Sequence, residues 1–132
     1  MTITLSDGIT LVDLPADLYW ADELSWSAVT QTVEHSLTGA LIVQFGTRQA
    51  GRPITLQPPE EGKSSWISRA ALQQLQVWAQ LPGQALTLTL RGLARQVIWR
   101  HQDGALEPRP VQHFADVAPD DAYTATLRFM EI

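Results

Sequence analysis

The chain has 132 residues, 45% of them hydrophobic and 17% charged, with a formal net charge of −5 and no cysteine. Missing thiols exclude a disulfide framework and a thiolate site. The acidic balance argues against a sequence-independent grip on nucleic-acid phosphates, which needs clustered Lys and Arg.

Lys63 is the only lysine, and the arginines are scattered. The length fits one domain with its own core, expected to cover residues 1–132. The low share of charge hints at surface hidden in an assembly. No stretch approaches the ~20 apolar residues of a membrane helix. The alternating start, Met1 to Val12, lacks the basic and then apolar pattern of a signal peptide, so folding in a cytosol is expected.

Ile3, Leu5, Ile9 and Leu11 surround Asp7-Gly8, a hairpin signal because both turn positions tolerate positive φ. Pro15 to Trp26, with Tyr19, Trp20 and Trp26 separated by acidic residues, reads as a loop leading into a strand. Ser27 to Leu37 alternates roughly, Thr38-Gly39 offers a turn, and Ala40 to Phe45 is a short apolar run between glycines. The pair predicts a long hairpin whose second strand is buried. Arg48 to Arg52 is polar. Pro53 to Gln57 is a strand with Ile54 and Leu56 on one face, starting at a proline whose missing N–H is tolerated there.

Pro58 to Ser65 is a loop by composition. Ser68 then caps a helix over Arg69 to Leu81, with Leu72, Leu75 and Trp78 on its apolar face and Pro82-Gly83 as the stop. Gln84 to Arg91 alternates, with Leu86, Leu88 and Leu90 inward and Thr87 and Thr89 outward. Arg91 to Ala94 is expected to turn the chain, and Arg95 to Arg100 to return it with Val97 and Trp99 inward. Asp103-Gly104 marks another turn. Pro108 and Pro110 restrict Leu106 to Val111 to an edge strand or an extended loop. Asp116 to Asp121 is an acidic loop, and Tyr123 to Ile132 is a last strand. Strands come in hairpins rather than alternating with helices. The predicted class is therefore mainly β (α+β): two packed antiparallel sheets, as a sandwich or split barrel, with one flanking helix.

The common chemical motifs are missing: there is no Gly-rich phosphate loop, no H-E-x-x-H and no G-x-S-x-G. His35, His101 and His113 are far apart in sequence. A hydrolase or metal site would need His101 and His113 to meet Asp103 or Asp116; otherwise they are surface histidines. Glu60-Glu61 and Asp120-Asp121 sit in loops, where solvated charge explains them, and capping explains Ser68. No catalytic residue, metal site or cofactor is expected. Tyr19, Trp20 and Trp26 read as interface anchors or as a cap folded over a sheet end. A third option, stacking on single-stranded nucleic acid, lacks basic company. Arg48 and Arg52, flanking Gly51, read either as solvent-exposed or as a subunit contact, since guanidinium forks pair with carboxylates across interfaces.

The run Gly51 to Leu56, Trp66, the helix around Leu72 to Leu81, the hairpin Leu86 to Arg100 and the ending Tyr123 to Phe129 together resemble small tail proteins of long-tailed phages and prophages. The likeness is to the distal tail protein group and its relatives on the tail-tube fold. It covers most of the chain from about Leu37 onward and rests on strand patterns rather than on an invariant signature. It implies a non-enzymatic virion protein, made in a bacterial host's cytoplasm. The subunit would assemble into a ring, often sixfold, that joins the tail tube to tail-tip and hub proteins and lets DNA pass without specific binding. A small ligand-binding or adaptor domain, with Tyr19, Trp20 and Trp26 lining a groove, is the alternative.

Overall fold

Alternating side chains put one row of each strand inward, and those rows fix the sheet. A computed structural model describes residues 3–60, 64–112 and 115–132. It is mainly β, with two antiparallel sheets and one flanking helix. The strands are β1 (Ile3–Ser6), β2 (Leu11–Leu14), β3 (Tyr19–Trp20), β4 (Val29–His35), β5 (Leu41–Thr47), β6 (Pro53–Gln57), β7 (Ile67–Ser68), β8 (Leu86–Leu90), β9 (Leu93–Trp99), β10 (Leu106–Pro110) and β11 (Ala122–Glu131). The helix, α1, is Arg69–Ala79.

The larger sheet has nine strands in the order β2-β1-β8-β9-β11-β6-β3, with β10 and β7 also on β11. Its spine is β11. Met130 pairs with Ile98 of β9 and with Pro53 of β6, while Arg109 and Ser68 pair further back along the strand. The two end strands, β2 and β3, are joined by only four residues, Pro15 to Leu18. Six strand spacings of ~4.8 Å would hold the edges of a flat sheet ~29 Å apart. Five Cα–Cα steps of 3.8 Å span at most ~19 Å. The sheet therefore has to curl, bringing its two edges toward each other.

Leu5, Leu88, Leu56, Val97, Leu127 and Phe129 fill the inside of this curl. Phe129 stacks on Trp99, ring centroids 4.6 Å apart. Helix α1 contributes Leu72, Leu75 and Trp78 to the same cluster. Its start is fixed by Ser68, whose hydroxyl accepts the Ala71 N–H at 3.3 Å. Near its other end the Trp78 indole N–H donates to Asp7 at 3.2 Å, tying α1 to the β1–β2 turn. That turn is organised by the Asp7 carboxylate, which accepts the N–H groups of Ile9 and Thr10 at 2.9 and 2.7 Å. Those bonds, Thr10's first, hold the Asp7 carboxyl below its ordinary pKa of 3.8.

Several expectations are corrected. The Leu90–Leu93 connection needs only Arg91 and Gly92, both at positive φ (53° and 78°), so the return strand begins at Leu93. A two-residue turn of this kind matches the twist of the flanking strands. Tyr19–Trp20, inside the expected loop, pairs with β6. Of the two alternatives for Leu106 to Val111 the strand is the one formed, over Leu106–Pro110, with Pro108 and Pro110 opposite Ala125 and Tyr123 of β11. The largest correction concerns Ala40 to Phe45. The predicted hairpin exists as β4–β5, but its second strand is not buried. Every residue of both strands is exposed. This smaller sheet is not a layer covering the first; it stands off the body as an arm. No helix among the described residues is long and apolar enough to cross a membrane.

Candidate functional site

Register decides what the arm displays. Residues directly opposite each other in an antiparallel pair share a face. Val29, Gln31, Val33 and His35 sit opposite Thr47, Phe45, Val43 and Leu41 on one face. Thr30, Thr32 and Glu34 sit opposite Gly46, Gln44 and Ile42 on the other. The first face is thus largely apolar, yet it is open to solvent, with Phe45 76% exposed. Such amphipathic alternation normally marks a strand with one side buried. Here nothing among the described residues buries it. Glu34 and His35 are the only ionisable residues from Val29 to Thr47.

The tip is closed locally. Ser36 N–H donates to the Ala40 carbonyl at 2.8 Å, and Gly39 N–H to the Ser36 carbonyl at 2.9 Å. Gly39 takes φ +83°, with open space where a Cβ would be, so glycine serves the backbone rather than packing there. At the root, Arg48 N–H donates to the Ala28 carbonyl at 2.7 Å.

A cation–aromatic cluster anchors that root to the body. The Arg52 guanidinium lies 4.8 Å from the Trp20 ring centroid and 5.8 Å from that of Trp26. It also donates to the Glu23 carbonyl at 2.7 Å. Arg95 lies 5.1 Å from the Trp20 ring and pairs with Glu131 at 3.2 Å. Gly51 N–H donates to the Glu131 carbonyl and Glu131 N–H to that of Arg52, at 2.9 and 2.8 Å. Asp22 accepts both the N–H and the hydroxyl of Thr55 at 2.9 Å, and Arg100 donates to the same hydroxyl at 2.7 Å. The segments on both sides of the arm are therefore held to β6 and β11.

The residues expected at an interface are divided by this arrangement. Trp20 is only 4% exposed and belongs to the core, so it is closed to a partner in this conformation. Trp26 is half-buried beside Arg52, and Tyr19 is 52% exposed. Arg48 is exposed at the root, whereas Arg52 is partly buried in the cluster. Tyr19 and Trp20 line a shallow concavity of about 370 Å³ together with Ala21, Glu23, Leu24 and Ser25, whereas Trp26 sits beside Arg52. Sequence reasoning missed Val29, Val33, Leu41, Val43 and Phe45 as a surface. The available signal was a paired alternation with almost no charge.

A second concavity lies between α1 and β10. It encloses about 420 Å³ and is lined by Leu72, Gln76, Leu106 and Pro108 with Arg69 and His101. Arg69 donates to the Tyr123 hydroxyl at 2.6 Å.

The groups considered for hydrolysis are placed as follows. His101 is exposed in a short 3-10 turn, and neighbouring Asp103 lies 3.0 Å from the Arg100 guanidinium. His113 and Glu61 lie outside the described residues. Glu60 and Ser64 close a local loop, while Asp121 accepts the Ala118 N–H at 2.9 Å. Ser65, strained at φ 59°, is held by Asp17 through bonds of 3.1 and 2.9 Å. Among the described residues no group of three or more His, Asp or Glu could hold a metal ion. No protein-family model, no curated protein and no solved structure matches the chain.

Proposed function

We propose that this chain is a structural subunit of a phage tail, assembling with copies of itself into a ring between the tail tube and the tail tip. The observation that carries the reading is the apolar face of the β4–β5 arm. A hairpin with one oily side is marginal alone in water, and exposed apolar patches of this kind mark interaction surfaces. Placing it against another subunit gives the pattern a physical reason. The curled nine-stranded sheet supports a split barrel with α1 set against it, and the resemblance to tail-tube-fold proteins favours that architecture. The net charge of −5 suits a channel that lets DNA pass without holding it. In this reading the protein is made in the host cytoplasm and resides in the virion.

Sedimentation velocity over a wide concentration range, followed by electron microscopy, tests the proposal. Closed rings of fixed copy number are expected, and the protein should be found by mass spectrometry in purified virions. A monomer at every concentration, absent from particles, would refute it.

The cleft between α1 and β10 favours a second reading, a small ligand-binding domain, since its size is in the range of ligand sites. Saturable quenching of tryptophan fluorescence by a small molecule, lost in Arg69→Ala, would support that alternative.

A further inference from the structure

The cleft between α1 and β10 has a one-sided chemistry. Alternation along β10 sends Leu106 and Pro108 into it, while Glu107 and Arg109 line a different concavity. The facing stripe is Arg69, Gln73 and Gln76 of α1 with Gln80 just after it. These positions lie three or four apart and so share one side of the helix. From Arg69 to Gln80 the stripe runs ~16 Å. Among the described residues no carboxylate lines the cleft, in a chain with 14 Asp and Glu against 9 Lys and Arg. The acids nearest in sequence to His101 and Leu106 are already engaged. Asp103 lies 3.0 Å from Arg100, and Glu107 lies 2.8 Å from Arg128. Arg69, in contrast, has no ion pair among the described residues. Its side chain donates one hydrogen bond, to the Tyr123 hydroxyl at 2.6 Å. That bond uses one of five guanidinium N–H groups and leaves the phenol its own O–H to donate.

We propose that this cleft binds a small organic carboxylate. Its acid group is received by Arg69 and Tyr123, and its short apolar body lies along Leu72, Leu106 and Pro108. A guanidinium fork matches the two carboxylate oxygens in geometry and charge. A neutral ligand would cover the half-buried Arg69 without replacing the water it displaces, which is costly for a charged group. A cationic ligand would find no negative partner there. The cleft volume of about 420 Å³ falls in the range of small-molecule sites, which pair apolar walls with a few placed polar groups.

This inference rests on the reading of the cleft as a ligand site, and the choice of probes separates the two. The full chain, labelled with nitrogen-15, is titrated with phenylbutyrate, with its neutral isostere phenylbutyramide and with phenylbutylamine, and followed by amide correlation spectra. Phenylbutyrate should shift the amides of Gln73, Gln76, Leu106 and Tyr123 saturably. It should bind about tenfold more tightly than the amide, the size of one charge-assisted hydrogen bond, and the amine should not bind. In Arg69→Gln the unfolding midpoint should stay and the preference for the acid should vanish. The comparison of acid and amide in the parent needs no variant. Equal affinities there, or a preference that survives Arg69→Gln in a folded chain, would overturn the carboxylate inference and leave the cleft a ligand site. No saturable shift with any of the three probes would overturn both.

Discussion

The arm and the body are built from the same kind of strand but meet different fates. Leu86, Leu88 and Leu90 of β8 point into a core where Leu88 has no exposure at all. Val29, Val33 and Phe45 of the arm alternate just as regularly and remain in solvent. Alternation states that one face wants cover. It does not say whether the cover comes from the same chain. The body finds its cover across β11 and α1, whereas the arm has none among the described residues. This contrast separates residues that make the fold from residues left over for a partner.

Phenylalanine offers the sharpest way to break the comparison. Phe129→Ala removes a fully buried ring stacked on Trp99 and should cost about 3–5 kcal/mol in urea unfolding. Phe45→Ala should change the monomer's stability by no more than about 0.5 kcal/mol, and should abolish self-association. If both cost the same, the arm is part of the core and the contrast collapses.

The clamp between the two regions comes next. Arg52→Ala removes the cation from Trp20 and Trp26 and the bond to Glu23, and should cost about 1–3 kcal/mol. Limited proteolysis should then cut near residues 26–28 and 48–50 faster than in the parent. Arg52→Lys should not restore protection, because a point charge cannot lie flat over an indole while donating to a carbonyl.

Smaller effects sharpen the account within the body. Ser68→Ala deletes the cap of α1 and should cost about 1 kcal/mol by urea unfolding. The smallest effect is acid sensitivity at the β1–β2 turn. The Asp7 carboxyl sits below its ordinary value of 3.8 in the folded chain, chiefly through the N–H groups of Thr10 and Ile9. Its stabilisation is therefore complete above pH 3.8 and lost as pH falls through the lower folded value. Asp7→Asn should flatten that part of the pH–stability curve, as followed by thermal unfolding between pH 2 and 5.

Much of the body was legible from local pattern. Asp7-Gly8, the β8 leucines, the Ser68 cap and the inward Trp78 and Trp99 follow from spacing alone. What was not legible depends on distant partners. Trp20 is buried because Arg52, Arg95 and β6 arrive from more than 30 residues away. The Tyr19–Trp20 strand exists only because Gln57 and Leu56 pair with it. Ala40 to Phe45 has the composition of a buried strand, and its exposure reflects topology: the chain leaves the large sheet after Trp20 and rejoins it at Pro53, and the two arm strands between pair only with each other. The candidate surface was hidden from sequence for that same reason.

The most direct measurement replaces residues 29–47 with a short glycine turn between Ala28 and Arg48, which already meet through a backbone hydrogen bond of 2.7 Å. Sedimentation velocity and thermal unfolding are then compared with the parent. The account predicts an unchanged unfolding midpoint for the monomeric body and complete loss of assembly. Unfolding of the shortened chain, or assembly that persists without the arm, would contradict it.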